Sequence, residues 1–191
     1  MRRGFKAQCE QISKRYRKEL DLTLQEALRY QVFAKHMGIR IWTPADVPCL
    51  TDKSLRQLTI HDESDWSAVT IQDFAKTVIV INSSHSERRL ANDVAHEISH
   101  IILDHQKARL EVSDEGDWWL KAYRPDQEEE ADWLAAALLL PRDGLMACYH
   151  KSQDHEELAS IFEVSVDLVR MRINRTGIAR QLQFSRKRTR A

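Results

Sequence analysis

Two histidines and a glutamate stand at a spacing suited to hydrolysis at a metal: His96-Glu97-Ile98-Ser99-His100, an H-E-x-x-H. On an α-helix, imidazoles four positions apart project from one face, one turn above the other. That separation lets two ring nitrogens hold one Zn²⁺ at about 2.0–2.1 Å, with the glutamate placed to work on a water at the metal. A catalytic zinc also needs a third protein ligand and an open position. The source downstream is Glu128-Glu129-Glu130-Ala131-Asp132. Glu128 and Asp132 share a helical face, so the first suits the metal and the second suits a hydrogen bond from a ligand imidazole. Glu129 points elsewhere, and Glu130 lies roughly 200° round the helix from Glu128. Acids in a first helical turn also complement the helix macrodipole. That role accounts for Glu129 and Glu130, and less well for Asp132, which sits past the first turn among Ala and Leu.

Both groups need helices to carry them. From Glu87 to Gln106 there is neither Pro nor Gly. Leu90, Val94, Ile98, Ile101 and Ile102 recur at three- and four-residue intervals on the side away from the histidines, which predicts a helix in the middle of a domain. Ser84 or Ser86 is its expected N-cap. A second helix is expected to open with a box of Asp126 and Glu129, to bury Ala131, Leu134, Ala135, Leu138 and Leu139, and to stop before Pro141. Upstream, Trp66–Ile71 and Thr77–Ile81 are β-rich runs that predict an antiparallel pair. Ile39–Trp42 predicts a short strand stopped by Pro44, and Thr51–Leu58 a short helix. Thr23-Leu24-Gln25-Glu26 matches a capping box, predicting an amphipathic helix that ends at Gly38. Residues 5–20 are charged and only weakly helical in pattern, and residues 107–125 suggest a long loop or broken helix. Its Trp118 and Trp119 suit either the lining of a cleft or a cover over the core, and the cover is favoured.

Composition bounds the class. An apolar fraction of 42% suffices for a core, and 30% charged residues solvate the surface of one domain with a small appendage. No apolar run reaches membrane-spanning length. The basic N-terminus lacks the apolar stretch of a signal peptide. Cys9, Cys49 and Cys148 form neither a disulfide framework nor a metal clip, so a reduced, cytoplasmic protein is expected. The net charge of zero conceals a dipole. Nine acids lie between Glu111 and Asp132, while eight bases and no acid lie from Arg170 to the end. An anionic rim beside Glu128 would repel nucleic acid and attract a basic protein.

Ser67-Ala-Val-Thr70, Ile79-Val-Ile-Asn82, Arg88-Arg89, His96-Glu-Ile-Ser-His100-Ile-Ile-Leu103, Glu128-Glu-Glu-Ala-Asp-Trp-Leu-Ala-Ala-Ala-Leu-Leu-Leu-Pro141 and Leu158–Ser165 together resemble the ImmA/IrrE family of zinc metallopeptidases, over roughly residues 25–175. The resemblance implies an α+β, zincin-like fold: a small, mostly antiparallel sheet over a helical body, with a short helical C-terminal unit. It implies a gluzincin-like Zn²⁺ site of His96, His100 and Glu128, with Glu97 catalytic and Asp132 supporting a ligand. It also implies a helix-turn-helix repressor as the protein partner, cut or antagonised in a stress response or a mobile element. The expected division is a peptidase domain over 1–150 and the C-terminal unit, with its basic tail, over 151–191. That unit itself has a helix-turn-helix pattern over 156–177, with Arg170 and Arg172 on the second helix. Two other functions therefore stand beside the endopeptidase: a zincin-like module that sequesters a repressor without cutting it, and a DNA-binding regulator with structural zinc. Direct nucleic-acid binding is the less favoured reading. For the oxyanion, Tyr123, Arg124 and His105 are candidates by proximity in sequence.

Overall fold

The computed structural model describes residues 1–48, 51, 56, 66–73, 76–105, 109–112, 118–121 and 124–182. Its order is α1 (Phe5–Glu19), α2 (Tyr30–His36), β1 (Ile39–Trp42), a 3₁₀ turn (Pro44–Asp46), β2 (Ala68–Asp73), β3 (Lys76–Ile81), α3 (Glu87–Ile102), β4 (Arg109–Val112), β5 (Trp118–Lys121), α4 (Pro125–Leu139), α5 (Arg142–Lys151), α6 (His155–Phe162) and α7 (Val166–Thr176). The class is α+β, as expected. The expected helix over Thr51–Leu58 falls almost wholly outside the described residues, as do Tyr123 and the side chains of Trp118 and Trp119.

The main sheet has the order β1-β3-β2. β2 and β3 pair antiparallel, with Thr70 opposite Ile79. β1 lies parallel to β3, with Ile41 opposite Ile79, so this sheet is mixed rather than mostly antiparallel. The β2–β3 direction follows from their tight connection, whereas a strand one long crossover away is free to run either way. As the central strand, β3 buries Val78 to Ile81 in one continuous run, the mark of a strand covered on both faces.

α3 and α4 pack on each other, and α1 covers α4. α4 buries Ala131 and everything from Trp133 to Leu139. A helix apolar nearly all round belongs at the centre of a body. It opens at Pro125 after Arg124, whose backbone N–H donates to Gln127 Oε1 at 3.3 Å; the expected box of Asp126 and Glu129 is not what starts it. Two buried arginines satisfy the carbonyls at its far end. Arg17 donates to the oxygens of Leu138 at 3.0 Å and Leu139 at 3.2 Å, and Arg172 donates to that of Leu140 at 2.9 Å. Cations there also suit the negative end of the helix dipole.

Several local expectations give way to tertiary contacts. α1 is a full helix whose buried stripe is Phe5, Cys9, Ser13, Tyr16 and Arg17. α2 starts only at Tyr30. The Thr23 N–H does donate to Glu26 Oε2 at 2.6 Å, but Arg17 takes the carbonyls of Thr23 and Glu26, so the box closes a turn and starts no helix. Gly38, at φ +70, ends α2 as expected. Residues 109–121 contain an antiparallel hairpin, β4 with β5, in place of a loop or broken helix. Arg172, on a recognition helix only in the less favoured DNA-binding reading, is 1% exposed and ion-paired to Glu10. α6 and α7 contribute Leu158, Phe162, Val169 and Ile173 to the same core as α3 and α4.

Candidate metal centre

α3 carries His96 and His100 on one face and α4 carries Glu128 opposite them. Ser86 holds the N-cap position of α3, although its side chain makes no capping bond. The three ligand-type side chains converge, each offering one atom within 4.8 Å of the others. The Nε2 atoms of His96 and His100 face each other at 3.0 Å. Glu128 Oε2 lies 3.2 Å from the first and Oε1 3.5 Å from the second.

Each imidazole is held from behind by its Nδ1. His96 Nδ1 donates to Asp132 Oδ1 at 3.0 Å, the partner expected from the sequence. His100 Nδ1 meets His105 Nδ1 at 3.0 Å, a contact the sequence did not announce. Both Nε2 atoms are thereby turned toward Glu128. Burial works against the protonated form of His96, but the bond to Asp132 and the charges of Asp132, Glu128 and Glu97 outweigh it and raise the ring above its ordinary value. Burial, followed by the rings of His96 and His105, pushes His100 down to about 3. Any proton between the two Nε2 atoms therefore belongs to His96. A divalent cation can replace that proton, because the donor set of two imidazole nitrogens and one carboxylate oxygen suits zinc.

Glu97 is buried, at 9% exposed. Its Oε2 accepts a short hydrogen bond from the Thr70 hydroxyl, so β2 grips the carboxylate from the sheet side. Burial raises Glu97 above the usual carboxylate range, against the opposing pull of Thr70 and His96. In the sequence Thr70 stands out only as a β-former and as the last residue of the Ser67-Ala-Val-Thr70 motif. Its period-2 position, opposite Ile79 in the middle of β2, is the signal that could have placed it over the helix.

Glu129 and Glu130 part ways. The Glu129 carboxylate lies 3.9 Å from the N-terminal ammonium, on the surface. Glu130 is more than a dipole charge, for its Oε2 reaches His105 Nε2 at 3.5 Å. His105 itself, an oxyanion candidate by proximity, is turned away from the side where Glu128 meets the ligand rings and sits behind His100 instead. Arg124, another candidate, pairs with Asp126 at 2.8 Å. On the Asp132 side a recess of about 560 Å³ opens, lined by Ser67, Arg89, Asn92, Asp132, Met171 and Arg175 among others. Of the nine acids in the expected rim, the five on α4 are described, and those from Glu111 to Asp117 have side chains outside the described residues.

Neither the curated proteins nor the solved structures contain a significant match to the chain. A family profile does match, over residues 50–174, a span that takes in β2, β3, α3 and α4 and runs almost to the end of α7. With more than half of its length covered and the ligand-type residues inside the match, the chain belongs to the Peptidase_M78 family, described as the IrrE N-terminal-like domain.

Proposed function

We propose that this chain is a zinc-dependent endopeptidase of the cytoplasm whose substrate is a helix-turn-helix repressor, so that cleavage relieves repression. The observation that carries the reading is the convergence of His96, His100 and Glu128 beside a buried Glu97. Membership of a peptidase family supports it. Among the described residues no helix is long and apolar enough to cross a membrane.

His96, His100 and Glu128 would hold the zinc, which supplies Lewis acidity that makes a water nucleophilic near neutral pH and polarises a peptide carbonyl. Glu97 takes the proton the attacking water loses and passes it to the departing amine nitrogen. Its raised proton affinity, set by burial, suits both halves of that transfer. The Thr70 hydroxyl fixes the carboxylate, and Asp132 fixes His96. The exposed acids Glu129 and Asp132, on the helix that carries Glu128, favour a basic partner, such as a DNA-binding protein.

The test is incubation of the purified protein and zinc with repressors encoded nearby, at low and high salt, with Glu97→Gln alongside. Discrete fragments from the wild type alone, with zinc retained by Glu97→Gln, are expected. Stable binding by both forms without fragments would replace the peptidase with a sequestering module. Neither binding nor cleavage would overturn the substrate assignment.

A further inference from the structure

We infer that His105 and Glu130 are positioning residues that set the tautomer of His100, and so prepare its Nε2 to bind metal. The inference rests on the reading of His96, His100 and Glu128 as ligands.

His100 Nδ1 and His105 Nδ1 lie at the hydrogen-bonding distance of 3.0 Å, which requires one of the two nitrogens to carry a proton and the other a lone pair. If His100 carries it, its Nε2 presents a lone pair toward His96 and Glu128, which is the ligand form. If His105 carries it, His100 must hold its own proton on Nε2, and coordination is blocked. Glu130 decides between the two. Its carboxylate, 3.5 Å from His105 Nε2, can only accept, so it favours a proton on that nitrogen. A neutral His105 with its proton on Nε2 has its lone pair on Nδ1, ready to accept from His100. The opposite arrangement would set a lone pair of His105 against the Glu130 anion. His105 Nε2 is buried and closes no hydrogen bond among the described residues, so the 3.5 Å approach of Glu130 acts on its proton through charge.

The backbone delivers His105 to this place. α3 ends in a Schellman turn: Asp104 N–H donates to the Ile101 carbonyl at 3.2 Å, His105 N–H donates to that of His100 at 3.1 Å, and Asp104 takes φ +51. The turn folds the chain back so that the imidazole five positions on packs edge to face against the ligand ring, with centroids 4.9 Å apart. Burial makes the arrangement consequential. The side chains of His100 and His105 are 3% and 5% exposed, so water has little access to stand in for a missing partner. α4 thus addresses both sides of one imidazole, with Glu128 at Nε2 and Glu130 behind Nδ1 through His105.

Zinc affinity, measured by competition with a chromophoric chelator, is compared for the wild type, His105→Leu and His105→Gln, with circular dichroism as the check on folding. His105→Leu is expected to lose roughly 10–100-fold, the usual effect of removing a partner behind a ligand. His105→Gln, whose amide can accept from His100 and donate to Glu130, is expected to recover most of that loss. Equal affinity of His105→Leu and the wild type overturns the inference and leaves the metal site standing. Equal loss in both variants also overturns it, because packing alone would explain the result. A wild type that binds no zinc overturns the metal reading and the inference together. Long-range ¹⁵N–¹H spectra of the metal-free wild type give an answer independent of the variants' folding. His100 protonated at Nδ1 supports the inference, and protonation at Nε2 overturns it.

Discussion

Replacing Asp132 separates two contributions that its carboxylate makes to His96. The hydrogen bond from Nδ1 holds the proton on that nitrogen, and the negative charge raises the basicity of the ring. Removing such a partner commonly costs roughly 10–100-fold in metal affinity. The Asp132 side chain is 55% exposed, so water can occupy the vacated place and screen the charge, which puts Asp132→Ala near the lower end. About tenfold, or roughly 1.4 kcal/mol, is expected. Asp132→Asn keeps an acceptor for Nδ1–H and loses only the charge, so its deficit should be a few-fold. Proton competition then fixes the sign of the pH dependence. Asp132 also raises the affinity of His96 for the proton that zinc must displace, so the wild type suffers more competition at pH 6 than the variant does. The wild-type advantage should therefore be larger at pH 8 than at pH 6. Chelator competition at the two pH values, with thermal melts as a control, reads this directly. An Asp132→Ala protein matching the wild type at both, or a deficit that grows toward pH 6, refutes the reasoning.

Two further outcomes follow from the same contacts. Zinc binding should displace at most one proton per ion, from His96, and the number should fall as pH rises, because His96 is raised while His100, at about 3, is already neutral; calorimetry in buffers of different ionisation enthalpy measures the number, and two protons would contradict the assignment. Arg17→Met should destabilise the fold by about 3 kcal/mol in denaturant melts, since it orphans the buried carbonyls of Leu138 and Leu139 while relieving the burial that lowers Arg17 to about 10; a loss below about 1 kcal/mol would show that water or neighbours replace its bonds.

The ligand-type residues were legible because their meaning is local. His96 and His100 are related by one helical turn, as are Glu128 and Asp132, and the apolar periodicity of each segment announces the helix that makes those turns. The hairpin of β2 and β3 is legible for the same reason. The failures share the opposite property. Thr23 to Glu26 carries a sound capping signal, but Arg17 occupies the carbonyls a helix would need. The direction of β1 depends on a crossover rather than on its own residues. Thr70 and His105 acquire roles only when a strand and a turn bring them against α3. The period-2 pattern of β2 gives the face of Thr70 but not its contact with Glu97, and residue type alone distinguishes neither Thr70 nor His105 from ordinary surface.

The dependence on distant parts of the chain is sharpest at α4. Its first two turns supply Glu128, Glu130 and Asp132 to the region of both imidazoles, so the centre is only as fixed as the helix that carries them. Its other end is held by Arg17 of α1 and Arg172 of α7. Glu10, also on α1, completes this by pairing with Arg172 and accepting from the Arg142 backbone at 2.9 Å. Arg17 and Glu10 precede the span the family profile covers, so α1, outside the match, braces the helix that delivers the carboxylates. The second helix of the C-terminal pair has a corresponding use. A recognition helix would offer Arg172 to phosphate, yet here that guanidinium is buried against Glu10 and the Leu140 carbonyl, and its loss would first be felt in the packing of α4.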